Sequence, residues 1–399
     1  MTLSTSWRRP LISGLGQSQI GRRLPRSGYQ LTIDAILAAI ADAGLQPSDI
    51  DGLATYPGLS VPLNPGFVGP DLYDVQDGLG LELNWHLGAP QGAAQVVSLI
   101  EAAAAVSTGL CTHAVVFRTT TEASAQGSGK RTGLGELMIE GEGILSWLLA
   151  AGAVSPANWT SFYAKRHMHE YGTTKEQLGW IAMTERAHAQ RYPHAIMQLP
   201  MTMDDYLASR PISTPLSLFD CDIPVDGCVA VVVSAPDTKD DLRHWVEIES
   251  VGTAMRHRPF WEHWPDLTTM AAHDAAAHLW RQTSLRPGDV DVAQLYDGFS
   301  PFVLLWLEAF GFCGKGESGP FVEGGTRIDL GGELPLNTWG GQLSSGRLHG
   351  WGFVAEALRQ LWSEAGERQV PDAEVAAVGV GGGVVAGALL LTRGSGAAS

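Results

Sequence analysis

Apolar residues follow two patterns along this chain, one typical of helices and one typical of buried strands. Near the start, Ile33, Ile36, Leu37 and Ile40 recur at helical spacing, and Gly44 suits the end of a helix. The same criteria predict helices over residues 31–45, 92–108, 175–191, 270–282, 301–310 and 351–362. Short apolar runs predict strands over 114–118, 228–234, 246–251 and 290–295, and a β-hairpin from 376–380 and 384–392.

Helices alternate with buried strands in both halves of the chain. This pattern is typical of an α/β protein in which helices cover a mixed sheet in layers. The polar stretch APDTKDD separates two of the predicted strands and marks the best domain boundary. We therefore predict an N-terminal half at 1–238 and a C-terminal half at 239–399, similar in make-up but without a visible residue-level repeat.

Composition and charge narrow the classes of protein. The formal net charge of −16 argues against general nucleic-acid binding, because such proteins usually present a basic face. No apolar run reaches the roughly 18 residues that suit a membrane span, and the N-terminus lacks the apolar core of a signal peptide. We expect a cytoplasmic protein that is not bound to a membrane. Its cysteines show no CxxC pairing and are best explained as small buried side chains: Cys111, Cys221, Cys228 and Cys313.

Six segments of the chain follow one another in the order of a known family. They are AIADAGLQPSDIDGLATY, STGLCTHAVVF, the stretch from RYPHAIMQLP to DGCVAVVVS, QLYDGFSPF, LNTWGGQLSSGRLHGWG and VGVGGG. Together they resemble the thiolase superfamily, and most closely its sterol-carrier-protein and lipid-transfer-protein branch. The resemblance implies the thiolase fold, a duplicated βαβαβαββ unit in five layers, α/β/α/β/α, which is normally dimeric. It also implies an inserted loop region in the N-terminal half, at about 120–225.

The resemblance locates the catalytic positions of thiolases, and this chain lacks the catalytic group at each of them. Thiolases act next to a coenzyme A thioester with a nucleophilic cysteine, an activating histidine and a second cysteine as acid and base. The matching positions here hold Ala89, Arg347 in the GRLHG loop and Gly379 in the GVGGG loop. Because alanine has no nucleophilic atom, an acyl-enzyme cannot form at that position.

The YDGFS loop, which begins at Tyr296, resembles that of steroid side-chain-cleaving aldolases of this superfamily. Those enzymes cleave a β-hydroxyacyl-CoA by a retro-aldol reaction, which needs a base, donors for the enolate and an acid. The resemblance implies Tyr296 as base or relay, Arg347 as the cation that lowers its pKa, and His349 as the second candidate base. The aldolases often have a second tyrosine where this chain has Arg347. The expected substrate-binding residues are Asp297, Asn337, Gly340, Gly341, Gly381 and Gly382.

The resemblance also implies what the protein binds. We expect an acyl-CoA substrate with a bulky, steroid-like group, which would give a ketone and a short acyl-CoA, and no cofactor other than the coenzyme A of the substrate. The expected assembly is a homodimeric core joined by a small oligonucleotide-fold (OB-fold) partner, which in this branch often carries a zinc ribbon.

Some alternatives remain open from the sequence alone. An acyltransferase would need Cys111 or Cys313 in the pocket, and a non-catalytic acyl-CoA or lipid-binding scaffold would need no catalytic group. Asp297 has a simpler interpretation as a residue that holds the turn or caps the helix from Ser300. His167 and His169 form an H-x-H pair without a third ligand in a helical region, so we expect no metal site there.

Overall fold

A computed structural model describes residues 9–58, 66–89, 95–127, 152–153, 155–256 and 264–394. Its strands are β1 (Leu11–Gln17), β2 (Gly52–Thr55), β3 (Trp85–Gly88), β4 (His113–Thr121), β5 (Pro211–Ser213), β6 (Leu216–Ser217), β7 (Asp226–Ser234), β8 (Val246–Met255), β9 (Val292–Leu295), β10 (Val375–Gly382) and β11 (Val385–Arg393). Its α-helices are α1 (Gly28–Asp42), α2 (Leu72–Leu79), α3 (Val97–Ser107), α4 (Glu122–Gly127), α5 (Pro156–Tyr171), α6 (Lys175–Ala189), α7 (Met203–Leu207), α8 (Ala271–Trp280), α9 (Ser300–Phe310), α10 (Ser318–Val322) and α11 (Trp351–Leu361). Residues Gly341–Ser345 form a π-helical turn.

The helices and strands predicted from the apolar pattern are confirmed, with ends that shift by a few residues. Helix α1 begins earlier than predicted because the Ser27 side chain accepts a hydrogen bond from the Gln30 N–H and caps it. The helix predicted at 92–108 corresponds to α3, and residues 90–94 lie outside the described part of the chain. The expected inserted region at about 120–225 contains the helices α5 and α6, the second of which matches the helix predicted at 175–191. Its status as an insertion stays a prediction.

Nine strands are joined in the order β3-β2-β4-β7-β1-β8-β11-β10-β9. In the N-terminal half, β2 runs parallel to β4, β4 pairs antiparallel with β7, and β7 pairs antiparallel with β1. In the C-terminal half, β9, β10, β11 and β8 pair in the same way and in the same order. In the N-terminal half, β3 pairs in parallel with β2. The corresponding position beside β9 is occupied by Leu336, which forms a parallel bridge with Ala293. The unit is therefore duplicated in topology although no residue repeat is visible.

The duplication extends to how the first helix of each unit packs on its sheet. A side chain at Gly16 of β1 would overlap the Ala35 carbonyl of α1, and one at Gly252 of β8 would overlap the Ala275 carbonyl of α8. Glycine is needed at both positions because the helix backbone lies directly on the strand. The halves meet where β1 pairs with β8 through two residue pairs. The division into an N-terminal half at 1–238 and a C-terminal half at 239–399 stays a prediction.

The described residues contain no helix that is long and apolar enough to cross a membrane. The expected cytoplasmic location stays a prediction. His167 of the H-x-H pair is buried and bonds to Glu308 and Thr173, while Glu170 forms an ion pair with Arg166. Within the described ranges, no group of three histidine, cysteine or acidic residues has the arrangement of a metal site.

Candidate active site

Tyr296 lies directly after β9, at the carboxyl end of the parallel strands, where ligand sites of open α/β sheets usually form. Its N–H donates to the Gly379 carbonyl (2.8 Å), and its ring packs between Phe302 and Phe353. A Cβ at Gly298 would lie 2.7 Å from Cε1 of this ring and 2.9 Å from its hydroxyl oxygen. Since a side chain at 298 would displace the phenol, the glycine creates the space that the Tyr296 ring occupies.

The phenol of Tyr296 stays protonated near neutral pH. Burial raises its pKa above the ordinary value of about 10, and the charge of Asp222 raises it further. The Arg347 guanidinium lowers the pKa, but its effect is smaller than that of burial. Our expectation that Arg347 holds this pKa low enough for Tyr296 to act as a base was therefore wrong.

Arg347 is held by two buried carboxylates. Its Nε and Nη2 donate to Oε2 and Oε1 of Glu122 (3.0 and 2.9 Å), and its Nη1 donates to Asp222 Oδ1 (2.9 Å). Glu122 begins α4 directly after β4, whereas Asp222 belongs to the loop before β7. Because a bidentate pair fixes the guanidinium plane, Arg347 has little freedom to turn towards a ligand.

The same carboxylate of Glu122 also binds His349, whose Nε2 lies 2.9 Å from Oε2. Burial lowers the pKa of His349 to about 4, against the opposing charge of Glu122. Burial by itself would raise the pKa of Glu122, but Arg347 and His349 bring it down to about 2. Near neutral pH a neutral imidazole therefore donates its Nε2–H to an ionised Glu122, and Nδ1 remains as an acceptor.

The backbone and ring of His349 are held in one position. Its φ is +48°, in the left-handed region that non-glycine residues seldom adopt, and the next residue, Gly350, has φ +90°. The Phe67 ring contacts the imidazole edge-on at 4.5 Å between ring centres. The strained turn places the imidazole beside Glu122, which is the kind of strain that functional sites often contain.

Asp297, Asn337 and Gly341 come together around a residue that the sequence did not reveal, Glu185 of α6. Asn337 Nδ2 donates to Glu185 Oε1 (2.7 Å), and Asp297 Oδ2 accepts from the Leu343 N–H (3.1 Å). A side chain at Gly341 (φ +59°) would overlap the Asp297 carboxylate and lie 2.5 Å from Glu185 Oε2. The expected grouping of Asp297, Asn337 and Gly341 is therefore present, but their direct partners are protein groups.

The remaining predicted glycines have structural explanations. Gly340 (φ +97°) ends the Asn337 turn, and a side chain there would lie 2.5 Å from Ala189 Cβ. Gly381 (φ +98°) and Gly382 are paired within the β10–β11 hairpin, where Gly382 faces the Phe302 ring. Their roles in substrate binding stay predictions.

The thiolase positions contain no nucleophile. Ala89 is buried, and a Cβ at Gly379 would lie 2.6 Å from Cε3 of Trp306 and 2.8 Å from the Phe310 ring. Burial raises the thiol pKa of each cysteine to about 12: Cys111, Cys221, Cys228 and Cys313. Since catalytic cysteines need a lowered pKa, neither Cys111 nor Cys313 fits the nucleophile that an acyltransferase requires.

Sequence reasoning missed Glu122, Asp222, Glu185 and the buried Arg118. Arg118 Nη1 donates to the carbonyls of Tyr56 and Phe67, and its guanidinium lies over the Phe67 ring (4.7 Å). Two of these residues left a signal in the sequence. Arg118 interrupts an apolar strand, and Glu122 is the first acidic residue after it, at the strand end where functional groups of α/β proteins usually lie.

Known proteins of one superfamily are similar to this chain. The family model described as thiolase C-terminal domain-like matches residues 252–392. A steroid side-chain-cleaving aldolase of Thermomonospora curvata is 37% identical over 365 residues, which are 87% of this chain and 89% of the relative. A 17-hydroxy-3-oxo-4-pregnene-20-carboxyl-CoA lyase of Mycobacterium tuberculosis is 35% identical over 88% of this chain and 90% of its own.

Solved structures agree as well. The structure described as Ltp2-ChsH2(DUF35) aldolase has a TM-score of 0.86 at 33% identity and covers 97% of this chain and 98% of its own. Human mitochondrial 3-ketoacyl-CoA thiolase, at 13% identity, shares the fold with a TM-score of 0.70 over 98% of this chain and 100% of its own. The predicted duplicated α/β thiolase fold is thereby confirmed. The chain belongs to the thiolase superfamily, within the lipid-transfer-protein-like branch of steroid side-chain-cleaving aldolases.

Proposed function

We propose that this protein is a carbon–carbon lyase, which cleaves a β-hydroxyacyl-CoA with a steroid-like group by a retro-aldol reaction. The products are a ketone and a short acyl-CoA. One observation carries the proposal: relatives named as an aldolase and as a lyase of a pregnene carboxyl-CoA match this chain over almost its whole length. The structure supports it chemically, because a retro-aldol reaction needs no thiolate and the described cysteines offer none.

The reaction needs a base, and we assign this role to His349. With a pKa of about 4 it is neutral near pH 7, and its bond to Glu122 leaves Nδ1 as the acceptor. In the proposed step, Nδ1 takes the proton of the β-hydroxyl. The oxygen becomes a carbonyl, the Cα–Cβ bond breaks, and its electron pair forms the thioester enolate. Glu122 then stabilises the imidazolium, as the third member of a catalytic triad does.

Tyr296 takes the opposite role in this proposal. Its raised pKa keeps the phenol protonated, so it serves as a donor to the enolate and as the acid that returns a proton to Cα. The charge of Arg347 favours the anionic phenolate that forms at that moment. Arg347 acts through its charge from a fixed position, which suits the bidentate bonds that hold it.

The proposed assembly contains more than this chain. The related solved structure joins an aldolase subunit to a DUF35 protein, and we propose a corresponding heteromer with a small OB-fold partner. A zinc ribbon in that partner is part of the proposal. We also propose a homodimeric core, since β3 is an edge strand of the described sheet and edge strands can pair with another chain. Sedimentation of the chain with and without its partner measures both states.

The decisive experiment tests cleavage without free coenzyme A. The chain is co-expressed with its proposed OB-fold partner and incubated with a β-hydroxyacyl-CoA that has a ring-borne hydroxyl. Retro-aldol cleavage yields ketone and acyl-CoA under these conditions, whereas thiolysis requires added coenzyme A. Strict dependence on coenzyme A would favour the acyltransferase, and absence of any turnover in the complete assembly would favour the scaffold.

Variants of the two proposed catalytic residues complete this test. Tyr296→Phe and His349→Gln are each expected to lower kcat by about 100-fold or more, within the usual contribution of an acid or a base. Tyr192→Phe is the matched control, because it removes a hydroxyl that bonds to Gln17 outside this network. Full activity in Tyr296→Phe would remove the phenol from the mechanism.

A further inference from the structure

Two buried carboxyl groups, those of Glu185 and Asp297, lie against each other beside Tyr296. Both residues are at most 1% exposed. Neither Glu185 Oε2 nor Asp297 Oδ1 receives a hydrogen bond from a donor in the described part of the chain. The two groups approach closely enough to form a hydrogen bond with each other, which requires a proton on one of them.

Among the described residues, no cationic side chain is paired with either carboxyl group. Asn337 Nδ2 donates to Glu185, and the Leu343 N–H donates to Asp297. Besides burial, the charge of Asp297 raises the pKa of two neighbouring groups, Asp222 and Tyr296. Arg186, the next residue of α6, bonds to Ser344 and Leu199 instead. Two carboxylates cannot both be ionised in such a place, because each desolvated charge would raise the free energy of the other.

The geometry points to Glu185 as a positioning residue that keeps its proton near neutral pH and donates it to Asp297, which fixes the backbone on both sides of Tyr296. Asn337 assists from the other side. Its Oδ1 accepts from the Leu295 N–H (2.7 Å), and its Nδ2 donates to the Leu295 carbonyl (2.9 Å) as well as to Glu185. The residue before Tyr296 and the residue after it are thus both tied to Glu185.

The assignment of the proton to Glu185 follows from the bonds that each group accepts. Burial raises the pKa of both groups, and Asp297 pushes that of Glu185 well above its usual range. Asp297 keeps more of its charge because it accepts backbone N–H bonds from the 341–345 turn as well as the bond from Glu185. Gly341 is required at the contact, since any side chain there would separate the two groups.

The proton is tested directly by infrared spectroscopy of the whole chain with ¹³C-labelled glutamate. At pH 7 we expect the carbonyl band of a protonated buried carboxyl group, which shifts with the label and is absent from Glu185→Gln. A spectrum without this band overturns the assignment. This measurement does not depend on the substrate, so it stands even if the proposed lyase activity fails.

The positioning role rests on the proposed function and is tested by kinetics of the assembled enzyme. Glu185→Gln keeps a donor for Asp297 and an acceptor for Asn337, so kcat should stay within about twofold, whereas Glu185→Leu should lower kcat at least about tenfold with little change in KM. Glu176→Leu, on the exposed face of the same helix, is the matched control.

The pH profile separates positioning from a general loss of structure. In the wild-type protein, kcat should fall at high pH when the pair loses its shared proton. The Glu185→Gln variant should lack that alkaline limb because an amide cannot lose a proton there, whereas the contribution of the Tyr296 phenol remains. Equal activity of the Gln and Leu variants, or an unchanged alkaline limb in the Gln variant, overturns the positioning role.

Discussion

Replacing Glu122 by glutamine tests the centre of the proposed site. The amide keeps the shape of the side chain but removes the charge that Arg347 and His349 share. Removing one partner of a buried ion pair usually costs about 3–5 kcal/mol, since the other charge is left uncompensated. The pKa of Glu122 gives a similar figure: a fall from 4.5 to about 2 corresponds to about 3 kcal/mol of folding free energy.

The sign of the pH dependence follows from the direction of that change. A carboxyl whose pKa is lowered by folding stabilises the protein above its unfolded pKa and loses this contribution as the pH falls. The wild-type protein should therefore lose the contribution of Glu122 between about pH 4.5 and 2. The Glu122→Gln variant never has it, so the difference between the two proteins should shrink over the same interval.

Urea unfolding at several pH values between 3 and 7 measures the effect. The matched control is Glu356→Gln, which breaks a comparable buried bidentate pair with Arg368 away from Tyr296. Both variants should unfold at lower urea concentration, but only Glu122→Gln should also lower kcat per folded molecule, by at least about tenfold, because His349 loses the group that orients it. Wild-type stability of Glu122→Gln at pH 7 would refute the ion-pair argument.

Three further predictions test the proposed mechanism. Gly298→Ala should lower kcat at least about tenfold with little loss of thermal stability, because its Cβ would displace the Tyr296 ring. The control is Gly288→Ala, whose Cβ would meet nothing within 4 Å and which should behave as wild type. Steady-state kinetics and thermal melting curves measure both effects. Since the pKa of His349 is about 4, kcat/KM should stay constant from pH 7 to about 5 and fall at lower pH. A decline centred near pH 6.5 would contradict the buried, neutral imidazole. Replacement of all four cysteines by alanine should leave cleavage intact, and loss of cleavage in a folded variant would revive the acyltransferase.

The apolar pattern was sufficient to locate most of the helices and strands. The buried run at 228–234 is an interior strand, and α9 ends where Gly311 (φ +78°) provides the left-handed residue that closes a helix. The region around His167 and His169 was expected to be helical, but the bounds of α5 were not predicted. The helix is only partly apolar, and many of its buried residues, such as Thr160 and Ser161, are polar or small. The pattern of apolar residues indicates which face of a helix or strand is buried. It does not predict the element when the buried face is polar.

Family motifs identified Tyr296, Arg347 and His349 as neighbours, and the structure joins Arg347 and His349 through Glu122. The motifs gave a wrong expectation about charge. They implied that Arg347 lowers the pKa of Tyr296, yet burial outweighs the guanidinium, whose charge is shared with Glu122 and Asp222. A pKa depends on all the groups within several ångströms, and these come from distant parts of the chain.

The sequence by itself determined the elements of the fold, the superfamily and the absence of the thiolase nucleophile, because these depend on local patterns and on residue identity. Only the tertiary structure decided how the site is charged. It brings Glu122 to His349 across 227 positions and Glu185 to Asn337 across 152 positions of the chain. Burial and long-range pairing set the protonation of these groups, and neither is encoded in the spacing of residues along the chain.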